Sequence, residues 1–237
     1  IDLSASDMAL DDDLRDALGS LDLRTWQFWN SLNPSGSLDQ VALTLRRDPG
    51  ESRTRVALVA EKYRTDSDRG RVRGDGIRIV PNWFPYQLDN LSGSFSYADG
   101  VVALTGFRAQ HDDAVIRFAA DCQIRSDGEW AVDLRQLAVD NLEIDHDLLD
   151  ALPGSIGPAV ARLDPEGQYM FYGSLKLLHR NSHQRPVHAS WDFTIETAGG
   201  ELGGKTRLEN LFGGVRLFRT LDDQGARTEG SIEIDSV

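Results

Sequence analysis

The sequence predicts a mainly β protein: repeated antiparallel strands forming a curled sheet or groove, with short helices between repeat units and a β-sandwich as the alternative. Three observations carry this prediction. First, apolar and polar residues alternate with period two over most of the chain. Ile116, Phe118, Ala120, Cys122 and Ile124 interleave with Val115, Arg117, Ala119, Asp121 and Gln123, the pattern of a strand with one apolar and one solvated face. Second, turn signals separate the runs at strand-length intervals: Asp48-Pro49-Gly50, Ala98-Asp99-Gly100, Ser126-Asp127-Gly128 and Asp222-Asp223-Gln224-Gly225. Third, the chain repeats itself.

Leu10-Asp11-Asp12-Asp13-Leu14-Arg15-Asp16-Ala17-Leu18 matches Ile144-Asp145-His146-Asp147-Leu148-Leu149-Asp150-Ala151-Leu152, an offset of 134 (145 minus 11). Leu32-Asn33-Pro34-Ser35-Gly36 matches Leu163-Asp164-Pro165-Glu166-Gly167 at offset 131, and Leu88–Gly93 matches Leu208–Gly213 at offset 120. Three matches in the same order indicate a duplicated structural unit. The expected units are residues 1–136 and 137–237, the second stopping partway. The chain is therefore expected to be a piece of a longer protein, with any signal peptide or membrane anchor outside it.

Taken in order, a strand leads into the first unit at Ile1. The Asp11–Leu18 helix follows, opened by an aspartate suited to capping and by further acid that suits the helix dipole. A second helix spans Asp22–Leu32, with Leu23, Trp26, Trp29 and Leu32 on one stripe and Phe28 beside them; Asn33-Pro34-Ser35-Gly36 stops it. Strands are expected near 38–46, 54–63, 74–80, 92–97, 101–109, 113–124, 129–136 and 138–142. The polar segments 48–54 and 64–74 read as exposed loops that hold most of the first unit's extra length. Helices at Asp145–Leu152 and about Ser155–Leu163 open the second unit, the latter without tryptophans. Strands near 168–178, 187–197, 205–209, 213–219 and 227–235 complete it.

Composition excludes several functions. A net charge of −13, from 38 acidic and 25 basic side chains, opposes nonspecific nucleic-acid binding, which needs a basic face to release phosphate counterions. It equally opposes adhesion to anionic headgroups. The single cysteine, Cys122, lies in an alternating strand and reads as a small buried side chain. No apolar run approaches the ~20 residues of a transmembrane helix.

Candidate chemical motifs do not survive their context. Gly199-Gly200-Glu201-Leu202-Gly203-Gly204-Lys205-Thr206 fits the phosphate-loop pattern. A nucleotide loop, however, joins a parallel strand to a helix, whereas Trp191–Thr197 alternates as an antiparallel strand does. Nucleotide binding at 199–206 is thus an unfavoured alternative to a glycine-rich hairpin loop. His179, His183 and His188 cluster in sequence, but in a polar turn and on the polar side of a strand, as exposed loop histidines do. The Asp11–Asp13 and Asp145–Asp147 strings lack the glycine and distal glutamate of a calcium loop, and capping explains their recurrence. No paired carboxylates sit in a context implying burial, and Gly-x-Ser-x-Gly is absent. No catalytic, cofactor or metal residue is assigned, and the chain is expected not to be an enzyme.

The hairpin Leu91-Ser92-Gly93-Ser94-Phe95-Ser96-Tyr97-Ala98-Asp99-Gly100-Val101-Val102-Ala103-Leu104, the following strand Ala114–Ile124, and the return of a short helix before Leu-x-Pro-x-Gly resemble the AsmA-like family of bacterial envelope proteins. That group includes TamB-type and related bridge-like lipid-transfer proteins. The resemblance implies a long curled sheet, apolar inside and polar outside, in the periplasm, which conducts lipid or aids outer-membrane biogenesis without catalytic residues. Trp26 and Trp29 depart from the pattern, having no partners in the second unit. Independently of the resemblance, one apolar sheet face must be covered, and these helices are too short and few to do it. The expected lipid-facing residues are Phe95, Tyr97, Ile116, Phe118, Trp130, Val132, Leu134, Trp191 and Phe193. The expected partner is phospholipid or another source of acyl chains, with no nucleic acid. The alternative is a structural or adhesive β-sandwich repeat of a secreted or surface protein.

Overall fold

The computed structural model of the 237-residue chain describes all residues except 22, 51–54, 65–75, 83, 125–128, 153–155, 180–187, 204–206, 223–224 and 237. The protein is mainly β, with about two thirds of the chain in antiparallel strands and only a few short helices. Two compact units divide it, Ile1–His111 and Asp112–Val237.

The first unit opens with β1 (Asp2–Ala9), then α1 (Asp12–Leu21) and α2 (Leu23–Leu32). β2 (Ser37–Arg46), β3 (Arg55–Lys62), β4 (Ile77–Ile79), β5 (Leu88–Ala98) and β6 (Val101–His111) follow. The strands line up as β1-β2-β3-β5-β6 in one open sheet. On one edge of β5, β3 pairs with Gly93–Ala98 and β4 continues at Leu88 and Leu91. The second unit contains β7 (Ala114–Ile124), β8 (Trp130–Leu142), α3 (His146–Ala151), α4 (Ile156–Ala161) and β9 (Pro165–Glu166). β10 (Tyr169–His179), β11 (His188–Leu202), β12 (Leu208–Asp222) and β13 (Gly225–Ser236) complete it. Its order is β7-β8-β10-β11-β12-β13, with β9 continuing the edge of β11 beyond β10.

The repeat is explicit in the backbone. β1 and β8 each lead into an aspartate-capped helix: Leu14 N–H donates to Asp11 Oδ1 at 3.0 Å, and Leu148 N–H to Asp145 Oδ1 at 2.8 Å. Left-handed φ angles fall at matching places: Asp7 52° and Asn141 53°, Asn33 48° and Asp164 46°, Asn90 52° and Asn210 54°. Gly36 at 109° and Gly167 at 102° match likewise, as do Gly93 at 141° and Gly213 at 139°. Strand pairing agrees. Lys62 opposes Gly93 as Thr197 opposes Gly213, and Ile77 opposes Leu91 as Gly200 opposes Leu211. β3 and β4 therefore correspond to the single strand β11. From Lys62 to Ile77 is 15 residues and from Thr197 to Gly200 is 3, so the first unit carries 12 extra residues there.

Two strands run through expected breaks. The expected gap between 136 and 138 is a bulge in β8, where Gln136 has φ 56°, and the segments 205–209 and 213–219 form one strand, β12. α1 runs three residues past its expected end, to Leu21. Most of the expected loops 48–54 and 64–74 lies outside the described residues, as do Ser126–Gly128. Among the described residues the helices of each unit lie against each other, not along the strands. Trp26 packs so closely on Gly19 that a Cβ there would come within 2.8 Å of its ring. The buried apolar side chains are Ile77, Tyr86, Leu91 and Ala109 in the first unit and Ala114, Ile116, Ala120, Val139, Ala151 and Tyr169 in the second, among the described residues.

Candidate functional site

Residues directly opposed across antiparallel strands share a face, so the register states where each candidate lies. In the second unit Ala120 opposes Leu134, Leu134 opposes Leu175, and Leu175 opposes Trp191. Val132 lies between Cys122 and Leu177. A further row runs Ile116, Val139, Phe171, Ile195 and Val215 across β7, β8, β10, β11 and β12. Phe193 opposes Leu217 and packs against Phe171 with the rings tilted by 41° and their centroids 4.9 Å apart. Phe118 is in phase with Ile116 and Ala120, opposite the β8 bulge. Thus Ile116, Phe118, Trp130, Val132, Leu134, Trp191 and Phe193 occupy one face of this unit. In the first unit Phe95 lies between Ala60 and Leu104, and Tyr97 between Leu58 and Val102. Their rows continue through Val41 and Leu43 to Ala5 and Leu3.

Sequence reasoning missed Leu43, Leu58, Phe171, Leu175 and Val215 as members of these faces. The signal was present: Val41-Ala42-Leu43-Thr44-Leu45 and Phe171–Leu177 keep the same period-two phase.

These faces are buried only in part: Ile116, Ala120 and Val139 are 5–9% exposed, whereas Phe95, Tyr97, Phe118, Trp130, Val132, Leu134, Trp191 and Phe193 are all more open. Leu217 is 42% exposed and Leu3 56%.

The opposite face of the second unit carries charge in paired form. Arg117 bridges Asp140 at 2.6 Å, Lys176 bridges Asp133 at 3.4 Å, and Arg216 bridges Asp192 at 2.5 Å; Arg135 meets Asp121. The hydrogen bond from Arg216 holds the Asp192 carboxyl below its ordinary range, against a smaller opposing effect of burial. The hydrogen bond to Glu196 raises the Tyr172 hydroxyl. Burial raises the Cys122 thiol, which sits half-buried on the apolar face.

One ion pair lies on the apolar face itself. Lys62 continues the phase of Val56, Leu58 and Ala60, is only 5% exposed, and contacts Asp39 Oδ1 at 3.2 Å and Ser37 Oγ at 3.4 Å. Asp39 Oδ2 accepts from Tyr63 N–H at 2.6 Å. The sequence signal was a cation in an apolar phase.

The remaining motifs take ordinary places. Gly199–Leu202 ends β11, antiparallel to β12 and β9, and Gly204–Thr206 lie outside the described residues. His179 and His188 belong to β10 and β11, and His183 lies outside the described residues. Asp11 and Asp145 cap helices. Among the described residues no helix is long and apolar enough to cross a membrane. The chain matches no protein-family model, and no curated protein or solved structure matches it significantly.

Proposed function

We propose that the chain is a non-enzymatic lipid-handling module whose apolar sheet face binds acyl chains. We place it, as an AsmA-like type of protein, in the bacterial cell envelope, facing the periplasm and serving lipid transport or outer-membrane biogenesis. The observation that carries this reading is the partly exposed apolar face of the second unit, from Phe118 through Leu134 to Phe193. Contiguous apolar surface of this extent marks an interaction site on a soluble protein. Neighbouring strands align their apolar residues in rows, as a flexible acyl chain requires, and no ring of convergent polar groups is needed to orient it. The ion-paired opposite face suits water.

The test is mass spectrometry of organic extracts from the chain purified without detergent. Phospholipid or fatty acid at a fixed ratio to protein is the expected result. A lipid-free protein that self-associates through its apolar faces would instead support a structural or adhesive module.

A further inference from the structure

We propose that the outer edge of β1 is a strand-docking site that accepts an extended segment patterned like β7, in antiparallel pairing. Among the described residues β1 pairs along one edge only, with β2. Ile1 and Leu45 exchange two backbone hydrogen bonds, each 2.8 Å. In an antiparallel ladder such pairs alternate with non-bonded ones, so Leu3 and Ala5 bond inward to Leu43 and Val41. The N–H and C=O groups of Asp2, Ser4 and Ser6 then point away from β2. A row of outward backbone groups templates another strand unless proline, lysine or a cover blunts it. Asp2–Ala9 holds neither proline nor lysine, residues 2–7 are exposed, and its irregularity at Asp7 falls beyond Ser6, as Asn141 falls beyond Asp140 on β8, which pairs with β7 all the same.

The repeat identifies the occupant. β8 holds the same place in its unit as β1, with Ala138 and Asp140 counterparts of Ser4 and Ser6 (138 minus 4 and 140 minus 6 both give 134). The corresponding edge of β8 is filled by β7: Arg117 opposes Ala138, Val115 opposes Asp140, and Ile116 opposes Val139, the counterpart of Ala5. A strand docked on β1 therefore sets apolar side chains beside Leu3 and Ala5 and polar ones beside Ser4 and Ser6. Main-chain bonds supply the affinity and the alternation supplies the selectivity.

The probe is a fluorescent peptide of residues Ala114–Ile124 carrying Cys122→Ser, titrated into the whole chain by anisotropy, with hydrogen–deuterium exchange read in parallel. Saturable binding is expected, with new amide protection in Asp2–Ala9. Ser4→Pro removes one outward N–H that bonds nothing within the sheet, a place where an edge strand tolerates proline. It should weaken the peptide about tenfold or more, while Ser4→Ala binds as the parent does. A peptide with Arg117→Pro, which leaves the protein untouched, should also fail. The proposal is overturned by absent binding, by binding indifferent to both prolines, or by protection on β8 instead of β1, which signals exchange with the resident β7. Peptide-independent self-association abolished by Ser4→Pro would overturn the stated occupant in favour of a second copy.

Discussion

At Gly93 and Gly213 the chain takes a backbone that side-chain-bearing residues seldom adopt, with φ 141° and 139°. The cost of any other residue there is steric as well as conformational, because a Cβ on Gly93 would meet Phe107 at 2.9 Å. Gly93→Ala is expected to lose about 1–3 kcal/mol, measured by urea denaturation. Asn90 at φ 52° accepts the left-handed region as Asn does more readily than β-branched residues, so Asn90→Gly should be close to neutral and Asn90→Val costly. Lys62 gives a second residue-scale prediction. Its ammonium is buried against Asp39, and Lys62→Met strands that carboxylate. The single variant should lose about 3–5 kcal/mol, and adding Asp39→Leu should recover most of it, since an apolar pair can replace a buried ion pair at little cost. A double variant as unstable as the single one would show that the pair itself stabilises the sheet.

Among the elements, the helices and the charged face behave differently. α1 and α3 depend on Asp11 and Asp145, each accepting an N–H three residues on. Asp11→Ala and Asp145→Ala should each cost about 0.5–2 kcal/mol, and similar losses are expected because the caps are structural equivalents. On the charged face, Arg216 donates from Nε at 2.8 Å and Nη2 at 2.5 Å to Asp192. A carboxyl held low in the fold stabilises above its unfolded pKa and loses that contribution as pH falls through the folded value. Arg216→Gln should move Asp192 up towards the ordinary range of an aspartate, followed by carbon NMR of the carboxyl. The stability difference should be small, because the pair is exposed, and should shrink as pH falls below about 4. Alternation alone made the strands legible, since burial of one face imposes the period directly. It split β8 and β12 because Gln136 and Gly213 interrupt the phase without ending the pairing, and a bulge leaves no period of its own. The 12-residue excess of the first unit was legible as length. Its place at 64–74, between β3 and β4, was legible too, but it was shared with 48–54, because only the pairing shows that Lys62 and Thr197 are equivalent. The apolar face was legible along Ile116–Ala120, Trp130–Leu134 and Trp191–Phe193, and was missed at Phe171 and along Val41–Leu45, where Ala42 and Thr44 blur the contrast.

For the molecule as a whole, the decisive question is what meets the apolar face, and Phe118 poses it most directly. Phe118 lies on that face between buried Ile116 and Ala120 and is itself partly exposed. Phe118→Asp introduces a carboxylate whose cost depends on its surroundings. If acyl chains cover the face, water can enter once they leave. The variant should then keep its fold, with a modest drop in Tm, and carry less co-purifying lipid. If another protein layer covers the face, the same carboxylate is trapped, the expected loss is several kcal/mol, and the domain unfolds. Asp133→Asn is the matched control: it lies on the ion-paired face and should change neither lipid content nor, beyond about 1 kcal/mol, stability. Thermal denaturation and lipid extraction on the same three preparations separate the cases. Unfolding of Phe118→Asp, from a parent that carries no lipid, would sink the lipid reading and leave a face made for protein. Retained fold with lost lipid would establish that acyl chains cover the face from Phe118 to Phe193.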